Sequence, residues 1–255
     1  MPTVSRLSIT PVRSLALHHP DAVELGPHGV ADDRRYVLLT RDDRIFDGTK
    51  HGPLVRMRAE LAHDPERLTV VLPDGTAVED AVELGAARQI TVYGRTFTVR
   101  AVAGPWAEAI GAIVGRDLAL ARIERLPEER DRNPVSIVSE ASVHELERQA
   151  NDGRPLDSRR FRMLVQLDGA EAHAEDGWIG RRVRIGQAVV RVTKPDPRCV
   201  ITTQDPATGL RDFATLHAIK AYRGLRDGRH IDFGVYADVV VPGTVRVGDE
   251  VAPLD

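Results

Sequence analysis

Apolar and polar positions alternate with a period of two through much of the first hundred residues. "RRYVLLT" (34–40), "RLTVVL" (67–72), "RQITVYG" (88–94) and "RTFTVRAV" (95–102) are short and rich in β-branched and aromatic residues. Turn signals such as "PDGT" (73–76) and Gly94 bound them, which predicts strands, the last two forming a tight hairpin. "RLSITPVRSL" (6–15) begins the same way and breaks at Pro11. The period changes in "GPWAEAIGAIVGRD" (104–117), where Trp106, Ile110, Ile113 and Val114 recur three and four apart behind Pro105, the pattern of a helix. "VSIVSEASVHELERQANDG" (135–153) reads as a buried strand running into a second helix. Ser139 or Ser142 is placed to cap it, Ser142 and Glu145 have capping-box spacing, and Gly153 is placed to end it. Strands are predicted again at "FRMLVQL" (161–167), "RRVRIG" (181–186), "AVVRVT" (188–193), "RCVITTQ" (198–204) and "TVRVGDEV" (244–251). "FATLHAIKAYRG" (213–224) is a third helix, closed by Gly224.

Many strands with few helices, and no regular strand–helix alternation, predict an α+β chain with mostly antiparallel, barrel-like or sandwich sheets. The charged stretch "RIERLPEERDRNP" (122–134) is the candidate boundary, with an N-terminal β domain at 1–125 and a second domain at 126–255. A solvated loop explains the same residues equally.

Composition narrows the function classes. The chain has 255 residues, a net charge of −3 and ordinary hydrophobic (42%) and charged (29%) fractions. That near-neutral balance points away from nucleic acid or an anionic membrane as partner. No apolar run approaches the ~18 residues of a membrane span, and "MPTVSRLSIT" lacks a signal peptide's apolar core, so a cytoplasmic protein is expected. A single cysteine excludes an internal disulfide and a four-cysteine metal site. No Gly-rich phosphate loop, dinucleotide fingerprint or nucleophile elbow occurs, and the nine histidines form no H-x-H or H-x-x-x-H pair.

Candidate chemistry gathers at four places. In "KPDPRCVITTQDPATG" (194–209), Pro195 and Pro197 lack N–H groups, so the chain is expected to enter the Cys199 strand from an irregular loop. Two readings of Cys199 stand: a metal ligand or nucleophile beside Arg198, or a small buried hydrophobe. Arg13 in "PVRS", Arg34 and Arg35 at a strand start, and Arg159, Arg160 and Arg162 around Phe161 have the fork geometry for a phosphate; solvated surface arginines explain each one singly. Ser139, Glu140, Ala141 and Ser142 lie where a strand becomes a helix, open both to helix capping and to holding a phosphate or polar ring. Glu175 and Asp176 in "HAEDGW" read as a general acid or as a solvated turn.

The assembled pattern resembles a known family. "PRCVITTQDPATG" is similar to the cysteine segment of MOSC domains. "TPVRSL" followed by "ADDRRYVLLTRDDRIFDGTK" resembles the β-barrel domain preceding MOSC in the mitochondrial amidoxime-reducing component and related bacterial proteins. "SEASV", "FRMLV", "AEDGWIGRRVRIG", "FGVY" (233–236) and "PGTVRVGDEV" (242–251) follow in the family's order. The resemblance implies a molybdenum–molybdopterin cofactor, its metal ligated by the Cys199 thiolate. It implies cofactor anchors at Arg13, Ser14, Arg34, Ser139, Glu140, Ala141, Arg162, Arg198 and Tyr236. It implies an oxidoreductase reducing N-hydroxylated substrates such as hydroxylamines and amidoximes. With one cysteine, electrons are expected from a separate donor, a ferredoxin or a flavin or Fe–S reductase. Delivery of cofactor or of sulfur on Cys199, and a metal-free enzyme on the same scaffold, are the competing readings. The chain departs from the family at Met163 and Leu164, where proline and asparagine are usual, at Arg13, where lysine is usual, and in the "PDPRC" approach.

Overall fold

A computed structural model describes residues 1–92, 95–124, 133–150 and 153–254. The hairpin turn at Gly94, the boundary at 125/126 and most of the charged stretch before Pro134 lie outside these residues. The fold is α+β and mostly antiparallel, as expected. Its largest sheet has seven strands in the spatial order Thr3–Leu7, Val165–Asp168, Val135–Ser139, Asp232–Val241, Ala188–Pro197, Arg182–Ile185, Val251–Leu254. Only the pairing of Val135–Ser139 with Val165–Asp168 is parallel. The two edge strands nearly meet: Val4 N–H donates to the Asp249 carbonyl at 2.9 Å and Val251 N–H to the Pro2 carbonyl at 2.8 Å. The sheet therefore curls into an almost closed barrel, which leaves little unpaired edge.

Inside the barrel, alternate residues of every strand meet. Val4, Leu7, Ile137, Val165, Leu167, Val183, Val190, Val235 and Val251 form one buried cluster. Val23, Leu25 and Val30 join it, because Ala22–Gly26 pairs with Gly243–Arg246. The segments around Val4–Ile9 and Val23–Val30 thus pack with the C-terminal half, while Val12 and Leu15 between them join the other core, so the two halves interleave. The second core belongs to the N-terminal half. There Tyr36–Leu39, Ala119–Glu124 and the hairpin Glu83–Val92/Arg95–Ala103 form a sheet, and Arg58–Ala62, Arg67–Val71 and Ala77–Ala81 a meander. Helix α1 (Trp106–Val114) lies against both, and the wholly buried Trp106 donates its indole N–H to the Leu68 carbonyl at 2.9 Å. Helices α2 (Glu140–Ala150) and α3 (Thr215–Arg223) cover the barrel's outer face over Phe161, Met163 and Phe233.

Several expectations fail. "TVRVGDEV" is not one strand: Gly243–Arg246 ends in a turn before Val251–Leu254 begins. Three others near the cysteine fail for local reasons. "FRMLVQL" is a strand only from Val165. Before it, Ser158–Phe161 is a 3-10 turn, because the Asp157 carboxylate accepts the Arg159 N–H at 2.9 Å, and Arg162 then takes a left-handed φ of 53°. Pro195 and Pro197 do not lie in a loop: Ala188–Pro197 is one strand, and its register against Asp232–Val241 shifts at the prolines, so the missing N–H groups are not needed. "RCVITTQ" is not a strand. The Thr202 and Thr203 hydroxyls donate back to the carbonyls of Cys199 (3.0 Å) and Val200 (2.8 Å), folding Val200–Thr203 into a 3-10 turn.

The loop after that turn docks on the N-terminal half at a point where only glycine fits. A Cβ on Gly209, whose φ is +74°, would lie 2.1 Å from the Gly52 carbonyl oxygen, and one on Gly52 would lie 2.0 Å from that of Gly209. Gly209→Ala is expected to lower the unfolding free energy by about 2 kcal/mol with an unchanged m-value. A urea titration checks this, and an unchanged midpoint would contradict the close approach.

Candidate functional site

The fold places Cys199 at the end of one barrel strand, exposed to solvent. The buried-hydrophobe reading of this thiol therefore fails. Its position is fixed from both sides. Behind it, the Arg198 N–H donates to the Ile231 carbonyl at 2.7 Å. Ahead of it, the Gln204 amide donates to the Gly48 carbonyl at 2.7 Å and Arg211 to the Thr49 carbonyl at 3.1 Å, tying the loop to the other half. Gly48 packs between Ser14 and Ile201, so the "PVRS" segment and the cysteine turn share a wall.

Arginines converge at the "PVRS" segment. Arg34 donates through Nη2 to the Arg162 carbonyl at 3.1 Å, and Arg162 donates through Nη2 to the Leu15 carbonyl at 2.7 Å. The "PVRS" backbone is held to the same place by Arg13 N–H to the Tyr36 carbonyl at 2.8 Å and Arg34 N–H to the Thr10 carbonyl at 2.7 Å. Burial, with Arg34 and Arg13 close by, pushes the Arg162 guanidinium down to about 10. Asp33 lies 3.7 Å from Arg34. Neither Arg13 nor Arg162 forms an ion pair among the described residues. Ser14 (φ 75°), Arg34 (φ 54°) and Arg162 (φ 53°) all adopt the left-handed backbone that side-chain-bearing residues avoid. Such strain costs on the order of 1–3 kcal/mol per residue and concentrates at binding and catalytic sites.

Arg198 plays a different part. Its side chain is only 7% exposed and ion-pairs with Asp196, 3% exposed, while Nη2 donates to the Phe161 carbonyl and Nη1 lies 3.3 Å from Met163 Sδ. The Tyr236 hydroxyl hydrogen-bonds to Asp196. Burial raises the Asp196 carboxyl against the pull of Arg198, and burial next to Asp196 raises the Tyr236 phenol, which stays protonated and donates. The Arg198 guanidinium is thus engaged in clamping the cysteine strand to the 158–162 turn. Asp196 is the residue that sequence reasoning missed; an acid between two prolines just before the thiol was the available signal. Met163 and Leu164, the departures from the family, are 5% and 4% exposed and pack into the helical and barrel cores.

The start of α2 is not joined to these groups by any hydrogen bond or ion pair among the described residues. Ser139 caps the helix: its hydroxyl accepts the Ser142 N–H at 3.1 Å. Ser142 forms no capping box with Glu145, since its hydroxyl donates at 2.8 Å to Glu175, which is wholly buried beneath the helix start and raised by that burial. Asp176 pairs with Arg223 at 2.5 Å. The acidic turn is therefore internal scaffolding. The Glu140 side chain accepts from Gln166 at 3.0 Å and lines a separate cavity, and Ala141 carries no polar side chain. No group of three His, Cys, Asp or Glu able to hold a metal occurs among the described residues, and none of the described helices is long and apolar enough to cross a membrane.

The family model for the MOSC domain matches residues 127–252. Over 129 residues the chain is 35% identical to mitochondrial amidoxime-reducing component 1 of Mus musculus, covering 48% of this chain and 36% of that protein. Mitochondrial amidoxime reducing component 2 of Rattus norvegicus aligns over 98% of this chain and 82% of its own length at 25% identity. Molybdenum cofactor sulfurase of Caenorhabditis briggsae aligns over 92% of this chain and 33% of its own at 26% identity. The chain thus spans about a third of the length of the mouse and nematode proteins. The solved structure of YUAD from Bacillus subtilis covers 98% of this chain and 94% of its own, with 14% identity and a TM-score of 0.46. Residues 127–252 belong to the MOSC domain family.

Proposed function

We propose that the chain binds a molybdenum–molybdopterin cofactor between the Arg13/Arg34/Arg162 cluster and Cys199. In this reading it is an oxidoreductase that reduces N-hydroxylated substrates with electrons from a separate donor. One observation carries it: the like-charged guanidiniums of Arg13, Arg34 and Arg162 lie close to one another on a strained backbone, two of them with no ion pair among the described residues, and the "PVRS" segment shares a wall at Gly48 with the turn that follows the chain's only cysteine. Such a cluster is unfavourable alone and becomes favourable around a phosphate. The similarity to amidoxime-reducing components supports the substrate class.

The donor set fits the cofactor. Arg13, Arg34 and Arg162 would hold its phosphate, with the buried Ser14 hydroxyl beside them, and the Cys199 thiolate would ligate the metal, a match of soft ligand to soft centre. When bound, the cofactor supplies two-electron reduction of an N–O bond. The protein's part is placement. Asp196 and Tyr236 fix Arg198, Arg198 fixes the strand end before Cys199, and the Thr202 and Thr203 hydroxyls turn the chain so that the sulfur faces outward. An exposed thiol and the similarity to molybdenum cofactor sulfurase favour one second reading, a carrier that hands cofactor or sulfur to another enzyme. Reduction of benzamidoxime with a chemical electron donor separates the two, since a carrier would hold cofactor without turnover.

Protein purified from a molybdenum-replete host is expected to carry about one metal per chain, and Cys199→Ser at least tenfold less, a loss typical of disturbed metal shells. Elemental analysis reads both, and wild-type protein free of molybdenum and pterin from that host would overturn the proposal. A second expectation concerns Arg162. Its charge opposes folding below about pH 10, and that penalty is relieved as pH rises past this value. Arg162→Gln should therefore leave the ligand-free fold as stable as wild type or more so. Saturating inorganic pyrophosphate should raise the wild-type Tm by about 5 °C but not that of the variant, and the wild-type shift should fade above about pH 10. Thermal unfolding followed across pH checks both signs.

A further inference from the structure

A cavity of about 460 Å3 opens between the first strand and helix α2, lined by Arg6, His19, Glu140, His144, Ser158 and Gln166 among others. None of Arg13, Arg34, Arg162, Arg198, Cys199 or Tyr236 lines it. Arg6 and Gln166 are register partners on adjacent strands, and both point out of the barrel, since Leu7 and Val165 point in. Ser158 opens the 3-10 turn beside them, and Glu140 is the first residue of α2.

These side chains form one directed chain of hydrogen bonds. Arg6 donates through Nη1 to the Ser158 hydroxyl at 3.1 Å. That hydroxyl donates to Gln166 Oε1 at 2.7 Å, and Gln166 Nε2 donates to Glu140 Oε1 at 3.0 Å. The direction is forced. A carboxylate only accepts, so the amide must turn its NH2 to Glu140 and its oxygen to the serine. Such a chain polarises along its length, positive at Arg6 and negative at Glu140. Gln166 is only 7% exposed, so the chain is a fixed floor.

Neither end charge forms an ion pair among the described residues. Arg6 has only the neutral serine as hydrogen-bond partner, and Glu140 only the neutral glutamine. Asp157 also lines the cavity and feels Arg6 through space, but its carboxylate is hydrogen-bonded by Arg159, with contacts of 3.0, 2.9 and 2.5 Å, and makes no contact with Arg6. An anion alone would answer Arg6 and leave Glu140; a cation alone would do the reverse. A single molecule carrying both charges answers both.

We propose that this cavity binds a small zwitterion, with a carboxylate or similar anion on Arg6 and an ammonium or amidinium on Glu140. The inference is independent of the arginine–cysteine site. Calorimetric titration with 6-aminohexanoate, hexanoate and hexylamine tests it. Wild-type protein should bind the zwitterion at least about tenfold tighter than either singly charged probe, the effect of one well-placed charge pair. Arg6→Gln should reduce 6-aminohexanoate to the affinity of hexylamine, and Glu140→Gln to that of hexanoate, while Arg6→Lys should keep most of the preference. Equal affinity of the wild type for all three probes would overturn the proposal, as would a preference that persists in both neutral variants. The wild-type comparison decides the matter even where a variant fails to fold.

Discussion

The Asp196 carboxylate lies almost wholly out of water between two prolines and takes the Arg198 guanidinium into an equally buried ion pair. Exposed ion pairs contribute about 0–1 kcal/mol, whereas removing one member of a buried pair costs about 3–5 kcal/mol because the other is left uncompensated. Removing either member of this pair therefore costs more than breaking any one of the surface pairs of an arginine-rich chain. Through Tyr236 it reaches the neighbouring barrel strand, and through the Phe161 carbonyl it reaches the turn that ends at Arg162. One buried charge pair thus links the cysteine strand to the segment that carries Arg162.

That linkage separates the arginines into two kinds. Arg198 is neutralised and immobilised by its partners. Arg13 and Arg162 have no ion pair among the described residues, and burial beside Arg34 leaves Arg162 with a depressed affinity for its own proton. The left-handed backbone at Ser14, Arg34 and Arg162 is the cost of drawing three separate chain segments to one point. The interleaved halves offset it: the first strands close the barrel, and the loop carrying Gly209 seats on Gly52. Rigid support on both sides is what a site needs if it is to hold an anion and a thiolate at fixed separation.

Elements that bury one face were legible in the sequence. Arg67–Val71 alternates strictly, α1 buries Trp106 and Ile110 of its predicted stripe while Ile113 turns to solvent, and Gly224 ends α3 as expected. Places where side chains bond to nearby backbone were not legible. Thr202 and Thr203 are good strand formers by composition, yet their hydroxyls turn the chain after Cys199. Asp157 does the same before Phe161. Pro195 and Pro197 read as breakers because the shifted register that accommodates them is set by the partner strand. At the site, the resemblance to MOSC proteins named Arg13, Ser14, Arg34, Arg162, Arg198, Cys199 and Tyr236; the fold draws Arg13, Arg34 and Arg162 into one group and Arg198 and Tyr236 into another around Asp196. It could not tell that Arg198 is turned inward to Asp196 and the Phe161 carbonyl, nor that Glu140 faces another cavity with Gln166, because both orientations are set by segments distant in sequence.

The central claim is that the Cys199 thiolate ligates the metal of a cofactor held by the arginine cluster. A chain with one cysteine makes this directly readable by intact-mass measurement of iodoacetamide labelling. Protein carrying molybdenum and pterin should remain unlabelled, while the same protein from a molybdenum-starved host should take up a single label at its exposed thiol. Equally fast labelling of the loaded and metal-free forms would contradict the account.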